Sequence, residues 1–406
     1  SWYETGHNNW TKIMGGDGMQ IQIDNRDNNI VYTGLQFGNY YRLDLFNNER
    51  KSIKPKHKLG DSPLRFNWQT PILISPHNQD IIYFGSNKLH RSFNKGDDWE
   101  EISKDQTSGG KKGNVPYGTI TSFDESNFQF GKLIVGSDDG IVSISNDSGK
   151  TWKSLSDNLP PDLWVSRVIF SKHEKNTIYL SLNGYRYNDF KPYIYVSNDN
   201  GDSWENISSN LPLSPVNVIR EDINRKEILY VGTDNGLFIS FNSGKKWHPF
   251  ESSLNRVAVH DLVIQNEKND LLVGTHGRSI YKTNLDLFND FMIEKNGEKP
   301  LIIFEINDLR HSNSWGKRSN YSDDVFKSSV KTIVYSDKSI VHDYTITDNF
   351  NNILNKGKLN LDKGFNNIEI LPMINYSIAT KKLKKIGISS EKSEDGNIYL
   401  TKGDYI

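Results

Sequence analysis

Six stretches of this 406-residue chain share one design, large polar or aromatic side chains followed by alternating apolar residues. They are GGDGMQIQI, RFNWQTPI, VPYGTITS, LWVSRVIF, SPVNVIRE and VAVHDLVI. Their opening positions supply Asp17, Arg65, Asn67, Trp68, Tyr117, Trp164, Arg167, Asn217, His260 and Asp261. Aromatic rings stack on the apolar face of a sugar while amides, carboxylates and guanidinium groups take its hydroxyls, so this set suits a glycan or an extended protein segment. Asp17 and Asp261 have a second possible use. Held roughly 6.5–9.5 Å apart, two carboxylates can act as acid and base of an inverting glycoside hydrolase. The plain alternative is a ring of side chains that only satisfies strand ends. Metal chemistry has little support, because the histidines are scattered with no His-x-His or His-Glu-x-x-His spacing. His276, in GTHGRS, reads as a turn residue. GGDG at Gly15–Gly18 lacks a following helix and a lysine, so it reads as a tight turn and not as a phosphate loop. No cofactor is expected.

The elements that must position these residues are legible from internal repetition. SNDSGKTW (Ser145–Trp152) recurs as SNDNGDSW (Ser197–Trp204), with weaker copies in RSFNKGDDW (Arg91–Trp99) and ISFNSGKKW (Ile239–Trp247). Trp99, Trp152, Trp204 and Trp247 are therefore 43 to 53 residues apart. A short apolar strand precedes each copy, and IVYTGLQFG and LLVGTHG are two more such strands without a full motif. Units of four short strands at this spacing predict an all-β fold, a β-propeller with six visible blades and possibly seven. In each repeat Asp147 and Asp199, or Asn94 and Asn242 in the weaker copies, can accept hydrogen bonds from turn amides. Gly149 and Gly201 relieve backbone strain, and the tryptophans bury aromatic surface between blades. NNWTKI (Asn8–Ile13) resembles a fourth strand with no strands before it, while the last unit lacks its fourth. Pairing the two near Ser279–Thr283 would close the ring.

The pattern S-x-D-x-G-x-T/S-W resembles the Asp-box, or BNR, repeat of sialidases, xyloglucanase-type hydrolases and sortilin-type receptors. That resemblance implies a propeller whose boxes lie at the periphery, away from any active centre. Sialidase chemistry would need an arginine triad, a tyrosine–glutamate pair and the RIP signature, which is missing. IMGGDGMQIQI faintly resembles the opening of a xyloglucanase propeller and AVHDLVI the segment that carries a catalytic aspartate there, although that family spreads its acids over two propellers and one is visible here. Such a hydrolase is the runner-up to a binding protein. A structural subunit of a cell-envelope assembly is the third possibility.

Composition sets the remaining bounds. A net charge of −1 offers no electrostatic invitation to nucleic acid. No apolar run is long enough for a membrane helix, and with no cysteine there are no disulfides. The expected organisation is a propeller over 1–288, a linker over 289–300 ending in Pro300, and a fibronectin-like β-sandwich over 301–406 cut short at its C-terminus. The basic run KKLKKIG reads as a solvated edge. Asp-boxes, an Asn-rich surface and an appended sandwich together predict an exported protein at a bacterial cell surface, with a glycan, a peptide or an envelope protein as partner.

Overall fold

The computed structural model describes residues 11–110, 117–250, 256–286, 288, 291, 299–304, 306, 308–319, 322–377 and 391–405. The chain divides into two compact units, Ser1–Trp247 with Val257–Glu267 and Leu271–Lys282, and His248–Arg256 with Lys268–Asp270 and Thr283–Ile406.

The first unit is a β-propeller built from antiparallel sheets in strict chain order. Blade one is β1 (Gln22–Ile23), β2 (Ile30–Leu35), β3 (Asn39–Asp44) and β4 (Glu49–Ser52). Blade two is β5 (Ile72–Ile74), β6 (Ile82–Gly85), β7 (Leu89–Ser92) and β8 (Glu100–Glu101). Blade three is β9 (Ile120–Glu125), β10 (Leu133–Ser137), β11 (Val142–Ser145) and β12 (Lys153–Ser154). Blade four is β13 (Trp164–Phe170), β14 (Ile178–Asn183), β15 (Tyr193–Ser197) and β16 (Glu205–Asn206). Blade five is β17 (Val216–Glu221), β18 (Leu229–Thr233), β19 (Gly236–Ser240) and β20 (Trp247–Pro249). The sixth sheet has three described strands, β21 (Val259–Gln265), β22 (Asp270–Thr275) and β23 (Ile280–Asn284).

The strand sequences explain this arrangement. Successive residues of a strand face opposite sides, and in a propeller both sides meet a neighbouring blade. Tyr83 of β6 therefore packs with blade three, beside Ile120 and Leu133. Its neighbours Ile82 and Phe84 pack with blade one, beside Tyr32 and Tyr40. The same split sends Ile134 toward blade four and Leu133 and Val135 toward blade two. Two-sided burial is why these strands read as continuous apolar runs. The fourth strands β4, β12 and β16 are exposed along their whole length, whereas the first strands neighbour one another: β1 with β5, β9 with β13, β13 with β17, β17 with β21. The first strands are the inner ones.

Asn8, Asn9 and Trp10 of the expected closing strand lie outside the described residues, and Thr11–Ile13 carry no strand. KKLKKIG and most of the stretch 289–300 lie outside them as well.

In the second unit, β24 (Leu301–Ile303), β27 (Val330–Ser336) and β30 (Gly364–Ile370) form one sheet, and β28 (Ile340–Thr347) pairs with β29 (Ile353–Leu361). Between them in chain order, β25 (Arg318–Ser319) pairs with β26 (Ser322–Val325); β31 (Met373–Ile374) pairs with β32 (Ile398–Tyr399). Val334 and Ile368 from the three-stranded sheet share a core with Leu359 and Leu361 of the β28–β29 hairpin, so two layers enclose it. A cluster of Phe250, Phe288, Phe291, Tyr335 and Phe365 rings adds to this unit.

Candidate functional site

The Asp-box turns come first, because their geometry separates structural from functional polarity. In blade three Ser145 Oγ donates to Asp147 Oδ1 at 2.9 Å and accepts from the Gly149 N–H at 2.9 Å. Thr151 donates twice to Asp147, through its N–H at 2.9 Å and its hydroxyl at 2.6 Å. Blade four repeats each bond with Ser197, Asp199, Gly201 and Ser203. Asn94 and Asn242 keep the serine bond and the backbone bond with an amide oxygen. Gly149 and Gly201 have φ of 88° and 90°, in the left-handed region. A Cβ at either would run into the preceding blade, at the Ile102 carbonyl or the Leu155 side chain. The indole N–H of Trp152, Trp204 and Trp247 crosses to that blade too, donating to Ile102 O, Leu155 O and Ile207 O at 3.0, 3.2 and 2.8 Å. Trp99 packs in the same manner, but its buried Nε1 has no hydrogen-bond partner among the described residues. The serine of each box is a residue whose role the sequence reading passed over, although it stands two positions before every Asp or Asn.

A second clasp was also missed. Ser75 and Tyr83 of blade two donate to the buried Glu125 at the end of β9, at 2.5 and 2.8 Å. Ser171 and Tyr179 of blade four donate to the buried Glu221 at the end of β17, at 2.8 and 3.2 Å. His77 and His173 reach a carbonyl of the next blade, Ser126 O and Asp222 O, each at 2.8 Å. The matching Ser-x-His…Tyr spacing in SPHNQDIIY and SKHEKNTIY was the available signal.

The inner strands place a different kind of cluster. Arg167 on β13 and Arg220 on β17 both donate to Asp261 Oδ1 on β21, at 2.8 and 3.3 Å. Arg220 Nε also donates to Leu262 O at 2.8 Å. Arg167 Nε is buried with no hydrogen-bond partner among the described residues. Burial acts to raise the Asp261 pKa, but Arg167 and Arg220 outweigh it and the pKa falls. Burial, with the Arg167 charge nearby, brings Arg220 down to about 10. Farther along β9, Asp124 accepts from the Phe170 N–H at 2.9 Å, and burial lifts its pKa to about 6. The Asp261 side chain is still 42 % exposed.

The remaining candidates divide into separate groups. Asn217 donates to Asp234 Oδ1 at 2.8 Å and to Val259 O at 3.2 Å, and accepts from Asn183 at 2.9 Å. His260 lies 5.1 Å from the His276 ring, and burial lowers its pKa. Tyr117 shares a 3.1 Å hydroxyl contact with Tyr187, and the Arg186 guanidinium covers the Trp164 ring at 3.9 Å. Arg65 is engaged with Asp105 at 2.6 Å and with Gly118 O at 3.0 Å. Asn67 is buried and donates to Thr119 at 2.9 Å. Trp68, exposed, meets Phe37 edge-on. Asp17 is bonded to Gln36. Among the described residues no hydrogen bond or ion pair joins Asp17 to Asp261. What the fold brings together is Arg167, Arg220 and Asp261. No group of three or more metal-ligating side chains occurs among the described residues.

With this geometry in hand, three comparisons place the chain. The Sortilin-Vps10 family model (Sortilin, neurotensin receptor 3) matches residues 192–399, just over half of the chain. Vacuolar protein sorting/targeting protein PEP1 of Saccharomyces cerevisiae (strain RM11-1a) is 30% identical over 99 residues. That match covers 24% of this chain and 5% of the yeast protein, so the chain spans a small part of its curated relative. Similar solved structures include the GH74 xyloglucanase of Xanthomonas campestris, with 14% identity, a TM-score of 0.47 and coverage of 66% of this chain and 51% of that one. YCF48 bound to D1 peptide gives 10% identity and a TM-score of 0.42 over 66% of this chain and 92% of that one. By the family match over residues 192–399, this chain belongs to the Sortilin-Vps10 family.

Proposed function

We propose that this chain is the ligand-binding propeller of an exported protein and takes a glycan or a protein segment at the mouth of its axial channel. The observation that carries the reading is the convergence of Arg167 and Arg220 on a single Asp261 oxygen. Two guanidinium groups meet at one carboxylate oxygen, and the Asp124 carboxylate also acts on Arg220. Such a site favours a ligand that brings a negative or strongly accepting group. Membership of the Sortilin-Vps10 family supports an exported or surface location.

The same observation weighs against Asp261 as the general acid of a hydrolase. A general acid must hold its proton near working pH, and raised carboxyl pKa values serve that purpose. Arg167 and Arg220 push Asp261 the other way. The test is a glycan and peptide array followed by titration of wild type, Arg220→Gln and Asp261→Asn. Arg220→Gln is expected to weaken the ligand at least tenfold, about 1.4 kcal/mol. Asp261→Asn is expected to keep or strengthen binding, because it frees two cations from their counter-charge. Wild type is expected to release no reducing sugar. Turnover that disappears in Asp261→Asn would overturn the reading in favour of a hydrolase.

A further inference from the structure

One connection on the face where the inner strands begin departs from the blade pattern. β14 and β15 are joined by nine residues, Gly184–Pro192, where the corresponding connections of the other blades have two to four. Trp164, at the start of β13, pairs with Asn183 at the end of β14, so this long connection emerges beside the opening of the inner strand. It contains a 3-10 turn, Tyr185–Tyr187, ended by Asn188 in left-handed backbone at φ 56°.

The loop is held in shape from within. Tyr185 N–H donates to Asn183 Oδ1 at 2.9 Å, and Asp189 N–H donates to Gly184 O at 3.1 Å. Asp189 in turn accepts from the Tyr193 hydroxyl at 2.6 Å and the Lys191 N–H at 3.1 Å. So anchored, it displays Tyr185, Tyr187 and Phe190 at 58%, 49% and 46% exposure. Tyr185 and Phe190 brace each other edge-to-face, with centroids 6.1 Å apart.

Arg186 sits at the centre of this crest. Its guanidinium stacks over Trp164 at 3.9 Å, a geometry that fixes the plane of the fork while leaving the N–H edge open. Among the described residues it makes no hydrogen bond and no ion pair. The carboxylate whose charge reaches it, Asp138, already accepts from the Gly118 and Thr119 N–H groups and from the Thr119 hydroxyl. A planar cation with unused donors, flanked by displayed aromatic faces, matches a sugar that carries a carboxylate. Guanidinium and carboxylate pair through two parallel hydrogen bonds, and the ring's C–H face lies on an aromatic side chain. β14 is paired on both sides, with β13 and β15, so it offers no free edge for a peptide to extend the sheet.

We propose that the Gly184–Pro192 crest is a subsite for an acidic polysaccharide, with Arg186 holding a uronate carboxylate and Tyr185 and Phe190 supporting the sugar ring; this rests on the mouth of the propeller being a binding face. Because the loop is ordered before the ligand arrives, little entropy is lost in shaping it.

The experiment is calorimetric titration of the whole chain with an oligogalacturonide, its methyl ester and a polyglutamate peptide. Wild type, Arg186→Ala, Arg186→Lys and Arg220→Gln are compared, with circular dichroism confirming that each variant is folded. Wild type is expected to bind the free acid and not the ester. Arg186→Ala should lose at least tenfold in affinity, and Arg186→Lys should recover only part, since a point charge neither stacks nor forks. Equal binding of acid and ester, an unchanged Arg186→Ala, or no binding by wild type overturns the proposal. Preference for polyglutamate, lost in Arg220→Gln but kept in Arg186→Ala, overturns it while leaving the channel-binding reading intact.

Discussion

The Asp-box turns and the inner-strand cluster are both made of charged and hydrogen-bonding side chains, yet they end in opposite conditions. In the boxes each carboxylate is engaged by its own turn: Asp147 takes bonds from Ser145 and twice from Thr151. Among the inner strands, Arg167 keeps an unused buried donor and shares a single carboxylate oxygen with Arg220. On the entrance face Arg186 is stacked on Trp164 and makes no hydrogen bond among the described residues. The difference shows that repetition and polarity alone do not mark function.

The largest effect is expected where a box joins two blades. Trp247 is 1% exposed and its indole bonds to Ile207 O, so Trp247→Ala should cost about 3–5 kcal/mol. Chemical denaturation measures this, with ligand affinity per folded molecule unchanged. A loss of binding without a loss of stability would break the contrast drawn above.

Acid sharpens it next. Hydrogen bonds from the Thr151 and Ser203 side chains, followed by those from their backbone N–H groups, lower Asp147 and Asp199 from 3.8 to about 2. A lowered carboxyl stabilises the fold above its unfolded pKa and loses that contribution as pH falls through the folded value. Amide exchange should therefore show Thr151 and Ser203 N–H losing protection between 3.8 and about 2. The Lys246 N–H, which is bonded to the non-titrating Asn242, should not. Asp124 has the opposite sign. Burial raises it from 3.8 to about 6, so the folded state binds the extra proton and stability rises as pH falls through that interval. Asp124→Asn should flatten this part of the stability–pH curve.

The smallest effect separates two tryptophans that the sequence treats alike. Trp247→Phe leaves Ile207 O without its indole donor and should cost about 1 kcal/mol more than Trp99→Phe, whose Nε1 has no partner to lose. Equal thermal shifts in the two variants would show that the interblade indole bond contributes nothing.

Much of this architecture was written in the chain. The spacing of Trp99, Trp152, Trp204 and Trp247, the apolar runs before them and the Ser-x-Asp-x-Gly turns are local signals, because a hairpin turn and a two-sided strand depend on residues close in sequence. The structural role of Asp147 and Asp199 was legible for the same reason. The site was legible only as a set of positions at strand openings. Tertiary structure decided which of them meet: Arg167 with Asp261 across 94 positions of sequence, and Arg220 with Asp261 across 41. It also placed Arg65 against Asp105, Asn67 against Thr119 and Asp17 against Gln36. Arg186 gave no motif at all, since its importance lies in stacking on Trp164 while keeping its donors unused. Repeats fix the shape of each blade through near neighbours. Which side chains converge at the axis depends on where along each inner strand the residue falls, and that register exists only once the blades are packed.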